Sequence, residues 1–290
     1  MLGCNPPKIN GGFFIYMKKI ILTLIYLSLI WAEAEAAPRY VSIAPSTTEI
    51  LFALGLGDEV FGVSSYCNYP PEAKDKANIG DFSHPNIEKI FSLRPDYIFC
   101  TGLEQAPVVE ALRRLKFNVY VSYPKTVEEL FKSIKDIGLI THKDKEADAL
   151  INSMKGDIER IKEKVKLVPQ EKRVKVFVEI WHEPLMTAGA GSIIDELIIF
   201  AGGINLAHDV PRPYCYFSAE KVISLNPGCI IMTYMDKETP LKLVESRFGW
   251  NNIDAVKNKR VFNDINPDLL LRPGPRITGG LKELYKRLYD

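Results

Sequence analysis

Histidine is scarce and reactive-site spacings are missing in this 290-residue chain, which has four histidines and no CxxC, GxSxG or HExxH. The nucleophile elbow of exported hydrolases and the paired histidines of zinc proteases therefore have no local signature here. The loop glycines Gly189 and Gly191 lack the spacing of a dinucleotide or phosphate-binding fingerprint. Charge of one sign is also lacking: 37 basic residues against 36 acidic ones leave a net charge of +1. Without a basic field to gather phosphates, nucleic acid is excluded as a partner. No apolar run reaches the ~20 residues a membrane span needs. No Gly/Ser-rich linker divides the chain, so any two lobes must be joined by something stiffer.

The longest apolar run, residues 20–31, follows Met17-Lys18-Lys19 and precedes Ala32-Glu33-Ala34-Glu35-Ala36. A basic start, a short apolar stretch and small residues form the secretory signal pattern. Translation from Met17, an upstream extension over 1–16 and cleavage near Ala36 are expected, with an N-terminal membrane anchor as the alternative. No cysteine stands at the cleavage point to carry a lipid. The mature chain is expected in the periplasm, with Cys67, Cys100, Cys215 and Cys229 retained. Four cysteines allow three pairings, which spacing does not choose between. Cys100 and Cys229 sit in apolar runs and are expected to be buried.

From residue 39, short apolar runs alternate with helical patterns. Residues 40–44, 60–63, 97–100 and 119–121 read as strands, with helices starting near Glu88 and Ala106. Ser46 followed by Glu49 reads as a capping box opening a helix. The grammar returns with strands at 174–180, 229–233 and 260–262 and helices at 193–200, 219–225 and 277–288, Ser192 capping the first. Between them, Leu150, Met154, Ile158, Ile161 and Val165 recur at threes and fours along 143–167, forming one apolar stripe of a long helix. The expected fold is α/β, with two Rossmann-like lobes (37–142 and 169–290) joined by a single helix over 143–168.

An internal repeat is the most informative feature. Residues 88–101 match 220–233, with the glutamate, lysine, serine, leucine, proline, second isoleucine and threonine recurring in register. A helix-proline-strand unit used twice explains most of this, and helix capping explains each glutamate singly. The functional reading is that Glu88 and Glu220 form one acidic contact per lobe for a symmetric partner with two basic sockets.

With these repeats stand Ser42-Ile43-Ala44-Pro45-Ser46-Thr47-Thr48-Glu49, Tyr66-Cys67-Asn68-Tyr69-Pro70, Val210-Pro211-Arg212-Pro213-Tyr214 and Asp268-Leu269-Leu270-Leu271-Arg272-Pro273. In order and spacing the chain resembles the helical-backbone periplasmic binding proteins (class III solute-binding proteins) of cobalamin and iron-complex importers, its cobalamin branch most nearly. That resemblance implies a non-enzymatic monomer that delivers cobalamin or another corrinoid to an ABC importer's permease dimer and its ATPase subunits. The corrinoid would be cargo, with no resident cofactor. It implies a cleft in which Tyr66 and Phe82 meet Tyr214, Asp268 and Arg272, with Glu88 and Glu220 docking on permease arginines. Aromatic rings suit the apolar faces of a corrin, and a few fixed polar groups suit its rim of amides. Trp181, on a loop after a strand, reads as a further wall of the cleft. Arg276 is expected to support the turn before the last helix.

Phe82, Tyr214 and Thr101 stand where corrinoid binders of that family often place tryptophan, and Ala201 replaces one of a cysteine pair. Two other ligands are therefore weighed. A ferric siderophore or haem would present carboxylates to Arg212, Arg272 and Arg276. A bare metal ion would need His84, His182 and Asp268 to converge.

Overall fold

Val-, Ile- and Tyr-rich runs too short for helices become strands buried from both faces, as parallel sheets require. The computed structural model describes residues 37–233 and 240–290. The expected extension, signal peptide and cleavage point at 1–36 lie outside the described residues. In the first lobe, β1 (Tyr40–Ser42), β2 (Val60–Val63), β3 (Ala77–Asn78), β4 (Tyr97–Cys100) and β5 (Val119–Val121) form an all-parallel sheet in the order β3-β2-β1-β4-β5. Its crossovers include α1 (Pro45–Ala53), α2 (Ile87–Ser92) and α3 (Ala106–Arg114). The expected capping box is not formed. Helix α1 starts two residues earlier than that box requires, with Pro45 as its first residue and Ala44 at the cap position without a side-chain bond. Proline there gives up an N–H that has no helical partner in any case.

Helix α4 (Val127–Ile140), capped by Thr126, runs into α5 (Asp144–Lys166). The 23 residues of α5 span about 35 Å at 1.5 Å per residue. Met154, Ile158, Ile161 and Val165 of the expected stripe are buried, Leu150 is only half-buried, and Ala147 and Ile151 complete the buried face; each of the larger side chains contributes roughly 1.5–3 kcal/mol. The bar packs on α4 at the first lobe, then on α6 (Ile193–Phe200) and the last helix of the second. One apolar cluster consequently runs from Ile50 and Leu130 through Ile158 to Leu197 and Leu281.

The second lobe repeats the first. Strand β6 (Lys175–Glu179) lies between β9 (Ile204–Asn205) and β11 (Cys229–Met232), and β12 (Val261–Phe262) closes the parallel sheet as β9-β6-β11-β12. That order reproduces β2-β1-β4-β5. The sequence repeat becomes α2 into β4, and α7 (Ala219–Leu225) into β11. Even the strained backbone is shared: the matched residues Arg94 and Asn226 both turn left-handed, at φ 47° and 48°. The lobe adds an antiparallel sheet of β7 (Trp181–His182), β8 (Leu185–Ala188) and β10 (Tyr214–Tyr216), ordered β10-β8-β7. The chain ends through α8 (Pro240–Ser246), α9 (Asp254–Lys257), α10 (Asp268–Leu271) and α11 (Ile277–Tyr289). The fold is therefore α/β, two Rossmann-like lobes on one long helix.

Candidate functional site: the interlobe cleft

Strand-to-helix loops of both lobes converge on a cleft of about 660 Å³, within the roughly 300–1,000 Å³ common for small-molecule sites. Tyr66 and Phe82 line it from the first lobe, and Tyr214, Asp268 and Arg272 from the second. The rings of Tyr66 and Phe82 meet edge to face at 6.4 Å. Tyr66 is 48% exposed and Tyr214 45%, a large apolar area left open to a ligand. Register on the antiparallel sheet sets Tyr214, which pairs with Ala188. Burial against the cleft wall pushes the Tyr214 hydroxyl up, with Tyr123 and Glu104 adding to it.

Two features had no distinct sequence signal: Gln105, which bonds to the lining residues Phe82 and Thr101, and the lining residue Tyr123. Gln105 is fully buried; its amide donates to the Phe82 carbonyl at 2.9 Å and its oxygen accepts from Thr101 N–H at 2.8 Å. It fixes the loop that carries Phe82. Tyr123 lies flat on Gly102, where an added Cβ would fall 2.4 Å from the ring.

Two arginines at the cleft are committed to carboxylates. Glu49, almost wholly buried, accepts from Arg276 through both carboxylate oxygens, at 2.9 and 2.5 Å. Arg272 sits 2.9 Å from Asp268 and 3.9 Å from Glu49, and donates to Asn68 at 2.6 Å. Burial pushes the Glu49 carboxyl up, against the pull of Arg276 and Arg272. Arg276 thus does more than support a turn: it ties α1 of the first lobe to the start of α11 in the second. Arg272 to Asn68 is a second cross-lobe tie, and Val127 N–H donating to Glu196 at 2.6 Å is a third.

Other expected residues fall elsewhere. Trp181 is not in the cleft wall; strand β7 turns it outward, 50% exposed, with its indole N–H donating to the Glu183 carbonyl at 2.9 Å. Arg212 is exposed and does not line the cleft. His84, His182 and Asp268 do not converge: His84 is 91% exposed beside Asp81, and His182 lines a separate groove. Among the described residues no group of three potential ligands could hold a metal. The four cysteines are free and buried.

Glu88 and Glu220 occupy matching positions, the second residue of α2 and of α7. Each helix is capped by another side chain: Asn86 accepts from Lys89 N–H at 2.9 Å and Ser218 from Lys221 N–H at 3.1 Å. Both glutamates are exposed and neither has an ion-pair partner among the described residues.

Residues 41–266 match the periplasmic binding protein family. The chain is 36% identical over 256 residues to an uncharacterized ABC transporter substrate-binding lipoprotein of Bacillus subtilis, covering 87% of this chain and 80% of that one. A possible iron-binding periplasmic solute-binding protein of Staphylococcus epidermidis superposes with a TM-score of 0.78 at 29% identity, covering 87% and 98%. The periplasmic vitamin B12-binding protein of Vibrio cholerae does so at 0.73 and 27%, covering 87% and 96%. These relatives are binding proteins, and no helix among the described residues is long and apolar enough to cross a membrane. Two lobes on a helical bar, an aromatic cleft between them and this match over most of the chain make it a member of the periplasmic binding protein family, of the kind that serves ABC transporters.

Proposed function

We propose that the exported chain, cleaved near Ala36, acts as a monomer that binds cobalamin or a related corrinoid between its lobes. It hands this cargo to the permease dimer of an ABC importer, docking through Glu88 and Glu220, and catalyses no reaction. The observation that carries the ligand class is the pairing of two arginines at the cleft, Arg272 in its lining and Arg276 within 3.9 Å of the lining residue Asp268. Arg272 and Arg276 are already held by Asp268 and Glu49, so re-aiming them at a ligand carboxylate would break buried pairs at a cost of about 3–5 kcal/mol. Among the lining side chains, Asp81, Glu104 and Asp268 outnumber Lys125 and Arg272. An amide-rimmed, neutral or cationic ligand with broad apolar faces suits that balance, and the tyrosines and Phe82 suit those faces.

The second reading, an iron complex, draws on the likeness to the possible iron-binding relative. The same charge balance favours a neutral or cationic iron complex over a carboxylate-bearing one such as haem. The test is native mass spectrometry of the mature protein against cobalamin, cobinamide, haem and ferric siderophores. Retention of a corrinoid at one per chain is expected. Retention of haem or a carboxylate siderophore, with no corrinoid bound, refutes the ligand assignment.

A further inference from the structure

Each exposed glutamate stands beside an exposed aromatic ring, and the two lobes reach that arrangement by different sequence routes. On α2, Phe91 lies three residues beyond Glu88, so both side chains share one face of the helix. Phe91 is 64% exposed and is held edge-on by Phe117, with ring centroids 6.1 Å apart. In the second copy of the repeat the matching residue is Ile223. The aromatic there comes instead from the turn after α8: Phe248, 100% exposed, lines a groove of about 730 Å³ together with Glu220, Ile223 and Trp250. Arg247 also lines this groove but does not compete for Glu220, because Glu179 accepts from both of its terminal nitrogens at 2.7 and 2.5 Å. A single exposed phenylalanine needs no explanation. Two of them, each beside one of two pseudo-equivalent glutamates that have no ion-pair partner among the described residues, do.

We infer that each site is a two-part receptor for one guanidinium of the permease, the carboxylate taking its edge and Phe91 or Phe248 its face. This rests on the docking proposed above. A guanidinium is planar, bonds carboxylates in bidentate fashion and stacks on aromatic rings, whereas an ammonium can use only part of that geometry. The acidic, apolar character of both sites fits an arginine-bearing segment of the permease and disfavours an anionic lipid surface. The lobe-one receptor is a ring on the helix itself; the lobe-two receptor is a groove walled by Phe248. The repeat therefore conserves the chemistry of the pair without conserving the position of the ring.

The test measures binding of the purified full-length mature protein to right-side-out membrane vesicles of the source organism. Leucine keeps most of the apolar area but removes the π face. Phe91→Leu and Phe248→Leu are each expected to weaken binding about threefold to tenfold, and Phe248→Trp to retain it. Glu88→Arg/Glu220→Arg is expected to abolish it. Because both rings are exposed, thermal unfolding of the leucine variants should match the unaltered protein. Leucine variants that bind as tightly as the unaltered protein, while charge reversal abolishes binding, overturn the receptor and leave the docking intact. Binding that survives charge reversal, or no binding by the unaltered protein, removes the docking reading itself.

Discussion

The pair of Glu49 and Arg276 is the contact whose removal should be felt most widely, because it joins residues 227 apart in sequence and on opposite lobes. Glu49 is 2% exposed at its side chain and Arg276 18%. Removing one partner of a buried pair costs about 3–5 kcal/mol, and the residual exposure of Arg276 places Glu49→Ala near the lower end. For a folded body of this size each 1 kcal/mol shifts the melting temperature by about 2–4 °C, so a loss of roughly 6–12 °C is expected by calorimetry. Arg276→Ala has a pH signature. Burial already raises the Glu49 carboxyl, and removing the guanidinium raises it further. A raised carboxyl contributes stability that is present below the unfolded value of about 4.3 and is lost as pH rises through the folded value. The deficit of Arg276→Ala should therefore be smaller at pH 5 than at pH 8. In the double mutant the charges leave together, so the costs should not add; a coupling of about 1–3 kcal/mol is expected. Costs that add to within about 0.5 kcal/mol, with no pH dependence, would refute the interlobe clasp.

Charge reversal at Glu88 and Glu220 together should abolish ligand uptake in cells while ligand affinity, read by absorbance titration, stays unchanged. Gly102→Ala places a Cβ against the Tyr123 ring; a loss of ligand affinity of about tenfold, with little change in unfolding temperature, is expected from the displaced wall. Burial pushes Cys100 and Cys229 up to about 12, so at pH 8 only about one in ten thousand is thiolate. Ellman's reagent should label neither in the native protein, and all four mature-chain thiols once guanidinium is added. Ile158→Ala, midway along the buried stripe of α5, should cost about 2–5 kcal/mol in urea unfolding.

The lobes, the bar and the paired glutamates were legible because each is written in local periodicity. Helix α5 shows its stripe every three or four residues, and the repeat over 88–101 and 220–233 announces the second lobe. The cleft tyrosines were legible through family resemblance and because their proline-flanked loops are poor places for core packing. Glu49 was misread because a local pattern, serine followed three residues later by glutamate, has the same spelling whether it closes a cap or faces an arginine from the far lobe. Strands β7 and β9, two residues each, and β10, three, are too short to show alternation. Without β7 and β8 the outward turn of Trp181 had no basis in the sequence. Helix α4 was passed over although Thr126 and Glu129 mark its start. Gln105 carries no pattern at all; its role exists only once the Phe82 loop is folded over it.

The most direct measurement is an absorbance titration of cobalamin into the mature protein and into its Tyr66→Ala/Tyr214→Ala variant. Saturable binding of one corrinoid per chain, weakened about a hundredfold or more by the double substitution, is what a cleft walled by those rings predicts. Binding that the substitution leaves untouched would place the ligand outside the cleft and contradict the account.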